Sequence, residues 1–95
     1  MVIGITMIKI VPDHEKASYD ALREIEGVKE IYHLFGEFDF FVILNVLDQA
    51  KLKSLLEEIR SERFVLDTWS LLVSKEESHS NFGMAFSQSK ELAMS

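Results

Sequence analysis

The stretch Phe38 to Leu47 constrains the fold of this chain more than any other. Written as a β-strand, it sets Phe38, Phe40, Val42, Leu44 and Val46 on one side and Asp39, Phe41, Ile43, Asn45 and Leu47 on the other, because successive side chains of a strand point to opposite faces. Both sides are largely apolar. An antiparallel sheet with one solvated face alternates apolar and polar residues, so this strand calls for cover on both sides. Helices of the same chain can cover one. The simplest cover for the other is the same sheet of a second copy, packed face to face.

The segments around it have a recognisable order. Val2 to Val11 is β-rich and ends at Pro12, which cannot donate to a sheet ladder. Asp13 stands where a helix cap or first-turn acid is expected. Ser18, Ala21, Leu22 and Ile25 then recur at helical spacing, and Gly27 falls where a left-handed helix cap is wanted. Val28 to Phe35 reads as a strand, Gly36 and Glu37 as a two-residue turn, and Phe38 to Leu47 as the strand described above. Asp48 caps a second helix with its apolar stripe at Leu52, Leu55, Leu56 and Ile59. Phe64 to Val73 is the closing strand. The order is β-α-β-β-α-β, a ferredoxin-like α+β domain. Its right-handed crossovers place both helices on one face of one antiparallel sheet. Pairing of the open faces would make a dimeric α/β barrel.

Composition supports a partner. The chain has 95 residues, of which 47% are hydrophobic. So short a chain buries only about 60–65% of the surface its unfolded form exposes, and apolar residues in excess of a small private core suggest a second buried face. The absence of cysteine excludes a disulfide scaffold and thiolate metal sites and is compatible with a cytoplasmic setting. The apolar opening is too short for a membrane span, and no basic region precedes it as in a signal peptide. The formal charge of -6, without a basic cluster, argues against direct nucleic-acid binding. Residues 76–95 differ from the domain at 1–75. They are polar and serine-rich, with one apolar stretch from Phe82 to Phe86 that fits a short helix or a strand. They are either a frayed end or an oligomerisation arm that packs on a neighbouring subunit.

The residues able to carry chemistry gather at the expected turn. Gly36 permits a positive φ and a close approach to the backbone. Asp39 is a carboxylate in an otherwise apolar strand, costly to bury without a partner. That partner is either a backbone amide of its own turn or the amino group of a ligand, and a plain turn role for both residues is the ordinary alternative. Thr68 and Ser70 share one face of the last strand and Trp69 takes the other; such hydroxyls line a polar pocket or simply face solvent. His14, His33 and His79 have no metal-ligand spacing. No phosphate loop, metalloprotease motif or cofactor signature occurs, and no cofactor is expected.

The stretch from Gly27 to Val46 resembles the central hairpin of the effector domain of Lrp/AsnC transcription regulators, with a Gly-Val entry at Gly27–Val28 and a Gly-x-Phe-Asp turn at Gly36–Asp39. Val65 to Val73, with the pair Thr68 and Ser70, is similar to that family's closing strand. The resemblance covers about residues 1–75. It implies dimers formed through the sheets and rings of four or five dimers, an octamer or decamer. Amino acids or similar small effectors would sit in clefts between dimers. It maps ligand contacts onto Gly36, Glu37, Phe38, Asp39, Thr68 and Ser70. Full-length regulators carry an N-terminal helix-turn-helix, whereas this chain begins at the first strand. The expectation is therefore a stand-alone ligand-binding module that modulates full-length regulators without touching DNA or membrane. Phe38 and Phe40 beside Asp39, and Trp69 between the hydroxyls, depart from the pattern and would reshape or close the cleft. Two other functions compete. One is a cofactor-free monooxygenase-like enzyme of dimeric α/β-barrel type, with His33, Asp39 or Tyr32 as its titratable group. The other is a ligand-free assembly protein.

Overall fold

The computed structural model describes residues 1–74. The expected tail at 76–95 lies outside the described residues. The elements are β1 (Val2–Ile10), α1 (Glu15–Arg23), β2 (Val28–His33), β3 (Phe40–Val46), α2 (Gln49–Arg60) and β4 (Val65–Ser74). The strands form one antiparallel sheet in the order β2-β3-β1-β4. This is the ferredoxin-like α+β fold that the pattern predicts.

Alternation sorts the two faces of the sheet. Val2, Ile8 and Ile10 of β1 and Phe40, Val42 and Leu44 of β3 are buried beneath the helices. Leu22 of α1 and Leu52, Leu55 and Ile59 of α2 meet them from above. Asp48 caps α2 as expected, its carboxylate accepting the Lys51 amide at 2.8 Å.

Register exposes the second face. Ile5 stands opposite Ile43 and Leu71, and Met7 opposite Phe41 and Trp69. These six side chains are only half-buried, and the sheet carries both helices on its other side. At strand spacings of about 4.8 Å and residue rises of about 3.3 Å, the face projects roughly 400–600 Å². That is the scale of a stable interface, which removes about 800 Å² of accessible surface per partner.

The edges are irregular. On β2 the register shifts between Val28 and Glu30, leaving Lys29 without an opposite residue. On β4 it shifts at both ends, where Leu66 and Val73 are the extra residues. Such bulges bend and twist a strand.

Three local expectations are corrected. The hairpin connection is not a two-residue turn but residues 34–39, because β2 ends at His33 and β3 begins at Phe40. Asp13 does not cap α1. It takes φ +71°, and His14 holds the N-cap position with no side-chain cap bond. Gly27 does have positive φ, +100°, but α1 has already ended at a right-handed Glu24. Gly27 instead opens β2 tight against α2, where a Cβ would lie 2.7 Å from Leu55 Cδ2.

Candidate ligand-binding site

The connection between β2 and β3 is held at its base by the Leu34 amide donating to the Asp39 carbonyl at 2.9 Å. Gly36 sits at its tip with φ +133°, and among the described residues no atom lies within 4 Å of where a Cβ would be. The glycine meets the positive backbone angle, and no described side chain crowds it. Phe35 beside it is fully exposed, Glu37 is exposed and Phe38 half-buried.

Asp39 anchors this connection to the sheet. The β1–β3 pairing ends at Ile8 opposite Phe40, and the Asp39 amide still donates to the Ile8 carbonyl at 2.8 Å. β1 runs on to Ile10 with no β3 residue beside it. Asp39 Oδ2 accepts the Ile10 amide at 2.7 Å and so replaces one rung of the ladder. The protein partner is thus an amide of β1 and not an amide of its own turn. Among the described residues no partner is seen for Oδ1. An unsatisfied buried amide costs about 1–3 kcal/mol. Asp39→Ala should therefore lower unfolding stability by about that amount in urea denaturation, and Asp39→Asn, which keeps an acceptor, by less. Equal stability of Asp39→Ala and the parent would contradict this role.

Thr68 and Ser70 lie across β1, opposite Ile8 and Thr6. Both face the helices. The Ser70 hydroxyl donates to Thr6 Oγ1 at 2.7 Å, and Thr6 is completely buried. Thr68 and Asp39 flank Ile8 from its two sides, so the structure brings the turn and Thr68 to one corner of the sheet. Ser70 lies two residues further along β4, turned into the core.

Two residues not singled out in the sequence join this corner. Lys9, the one charge in the apolar run of β1, is half-buried and donates Nζ–H to the Glu37 carbonyl at 3.2 Å. Asp67 faces it across the β1–β4 pairing. A lone charge in an apolar strand is the available signal for Lys9; nothing local marks Asp67.

Two of the three groups named for an enzyme, His33 and Tyr32, lie on opposite faces of β2. His33 lies on the helix side, stacked on Tyr19 with ring centroids 5.6 Å apart and edge-on to Phe40 at 5.0 Å. Tyr32 projects to the open face beside Phe41 and donates its hydroxyl to Glu30. This bond to the carboxylate, with the negative charge behind it, holds the Tyr32 phenol above the ordinary tyrosine range. Alkaline titration followed by phenolate absorbance should show one late tyrosine, and Glu30→Gln should bring it back down. An unchanged titration in Glu30→Gln would refute the pairing.

Two grooves are lined by described residues. One of about 350 Å³ runs along β2 past Tyr19, Arg23 and Tyr32. One of about 550 Å³ lies at the opposite end of the sheet from the turn, by Gly27, Leu47 and Leu55. Neither takes in Gly36, Asp39, Thr68 or Ser70. Among the described residues no cluster of histidine and acidic side chains could hold a metal ion, and no helix is long and apolar enough to cross a membrane.

A split β-α-β sheet with helices on one side, an apolar open face and an acid-anchored glycine turn at its corner defines a class of small α+β modules. The chain belongs to the Lrp/AsnC ligand-binding domain family, whose model matches residues 2–81. Solved structures share the fold. TTHA0845 from Thermus thermophilus is similar at a TM-score of 0.74 and 22% identity, covering 83% of this chain and 100% of that one. PHS023 from Pyrococcus horikoshii is similar at 0.74 and 24%, covering 83% and 96%. The regulator NMB0573 from Neisseria meningitidis, solved as a complex with L-Met, aligns at 0.67 and 22%, covering 82% of this chain and 53% of that one. No curated protein matches the sequence.

Proposed function

We propose that this chain is an effector-sensing assembly module. Two copies pair through their open sheet faces into a dimeric α/β barrel, and dimers close into a ring, an octamer or decamer. An amino acid or similar small effector binds in the cleft between dimers at Gly36, Glu37, Phe38 and Asp39, with Thr68 and Ser70 contributed from β4. Occupancy alters the assembly and, through it, full-length Lrp/AsnC-type regulators in the cytoplasm. The acidic surface leaves nucleic acid to those partners.

One observation carries this reading. The turn is fixed to the sheet by Asp39, yet its tip is open and presents Phe35 fully exposed. A sheet-anchored, uncovered loop with an aromatic at its tip suits a half-site that another copy completes, and small-molecule sites favour such subunit boundaries. L-Met bound to the Neisseria regulator supports the ligand class. No catalytic role is assigned, since Tyr32 and His33 point to opposite faces of β2.

The test is a thermal-shift screen of the purified chain against the twenty amino acids, with sedimentation velocity on any hit. A ligand at a hundred times its dissociation constant stabilises by about 2.7 kcal/mol, which moves the melting point of a domain this size by about ten degrees or more. The shift in Asp39→Ala is read against that variant's own lower baseline. A stable monomer at micromolar concentration, or no response to any amino acid, would defeat the proposal.

A further inference from the structure

The groove of about 550 Å³ beside α2 plays no part in effector sensing. Its floor is apolar. Leu55 is buried, Val46 is half-buried, and Gly27 packs so closely that a Cβ would lie 2.7 Å from Leu55 Cδ2 and 3.1 Å from Val46 Cγ1. Lys51, Ser54 and Glu58, at i, i+3 and i+7, make its α2 wall. Met1 and Leu47 add two exposed apolar side chains. Because floor and wall lie on the helix side, a second copy on the open face leaves them uncovered.

The chain carries an occupant of matching chemistry. From Ser80 to Ser89 the sequence has no charge, so an apolar floor can receive it without desolvating one. Phe82 and Phe86 stand at i and i+4 and are the only Phe, Tyr or Trp residues after Trp69. As a helix or as a strand those five residues span about 6–13 Å, and α2 runs about 10 Å from Lys51 to Glu58. Reach favours the chain's own copy. Ser74, the last residue of β4, stands opposite Ile3, and Ile3 opposite Asn45, so the groove end at Val46 and Leu47 is about 10 Å away. The seven residues 75–81 extend to about 23–25 Å. A tether that short gives an effective concentration of about millimolar, above that of a second copy at micromolar levels.

We infer that Phe82 to Phe86 dock in this groove of their own copy, with both rings on the apolar floor and Met1 and Leu47 covered. Such docking concerns the helix side and needs no effector, so it stands or falls apart from the sensing role.

The chain contains no cysteine, which makes disulfide trapping selective. The whole chain carrying Ser54→Cys with Ser80→Cys, or Ser54→Cys with Ser87→Cys, is oxidised in a glutathione buffer and followed by non-reducing electrophoresis and mass measurement. Lys53→Cys, exposed on the far side of α2, replaces Ser54→Cys as the control. At least one Ser54→Cys pair should close within single chains about tenfold or more faster than its control, at a rate independent of protein concentration. Phe82→Ser with Phe86→Ser should remove that advantage. Melting curves of the reduced proteins confirm that each is folded. Equal rates for groove and control pairs, or an advantage that survives loss of both rings, overturns the inference. Closure between two chains in place of one also overturns it and gives the groove to the tail of a second copy.

Discussion

Under the proposed pairing, Ile43→Asp is expected to be a monomer at concentrations up to about 100 µM, as read by sedimentation velocity, where the parent is a dimer or larger. Ile43 lies near the centre of the open face, opposite Ile5 on one side and Glu30 on the other. In an isolated copy the new carboxylate would face water at little cost. In a face-to-face pair two of them, related by the dimer axis, would be pressed into apolar surface. An uncompensated buried charge costs several kcal/mol, and each 1.4 kcal/mol is tenfold in affinity. The substitution should weaken the interface by about a thousandfold or more. A variant that sediments like the parent would mean that the pairing uses another surface.

Phe40→Ala should act on folding. Phe40 is fully buried and packs edge-on against His33 and at 6.2 Å from Tyr19. Truncating a buried phenylalanine costs about 3–5 kcal/mol, against a total of about 5–15 kcal/mol for a small domain. Urea denaturation should show most of the stability gone, or no cooperative transition at all. Phe41→Ala, one residue along and on the other face, should loosen the proposed pairing while leaving the monomer core intact. Equal effects of the two on monomer stability would show that β3 does not divide its faces as described.

Local chemistry makes most of the fold legible. Asp48 before a run with helical period announces a cap because its side chain can reach only the first-turn amides. The two apolar sides of Phe38 to Leu47 announce a sheet with one face under the helices and a second apolar face, because strand period is strict. Gly27 misleads for an equally local reason: a glycine just past an apolar stripe looks the same whether it ends a helix or opens the next strand. The length of the 34–39 connection is hidden because Leu34, Phe35 and Phe38 are good strand residues, while their pairing depends on where β1 lies. At the candidate site, Gly36 and Asp39 can be named as a turn pair. The partner of Asp39 is 29 residues away and that of Ser70 is 64 away, beyond the reach of any window. Lys9 and Asp67 become neighbours only through the β1–β4 register.

The shifts of register at Lys29, Leu66 and Val73 bear on how large an assembly can grow. A face that pairs with its own copy is used up in one event, whereas a straight strand edge offers the same template again after every addition. By kinking both outer strands, this sheet blunts its repeating template and keeps the consumable one. Under the proposed pairing, growth would proceed by steps that terminate, favouring a countable particle over a fibre for a chain this rich in apolar residues.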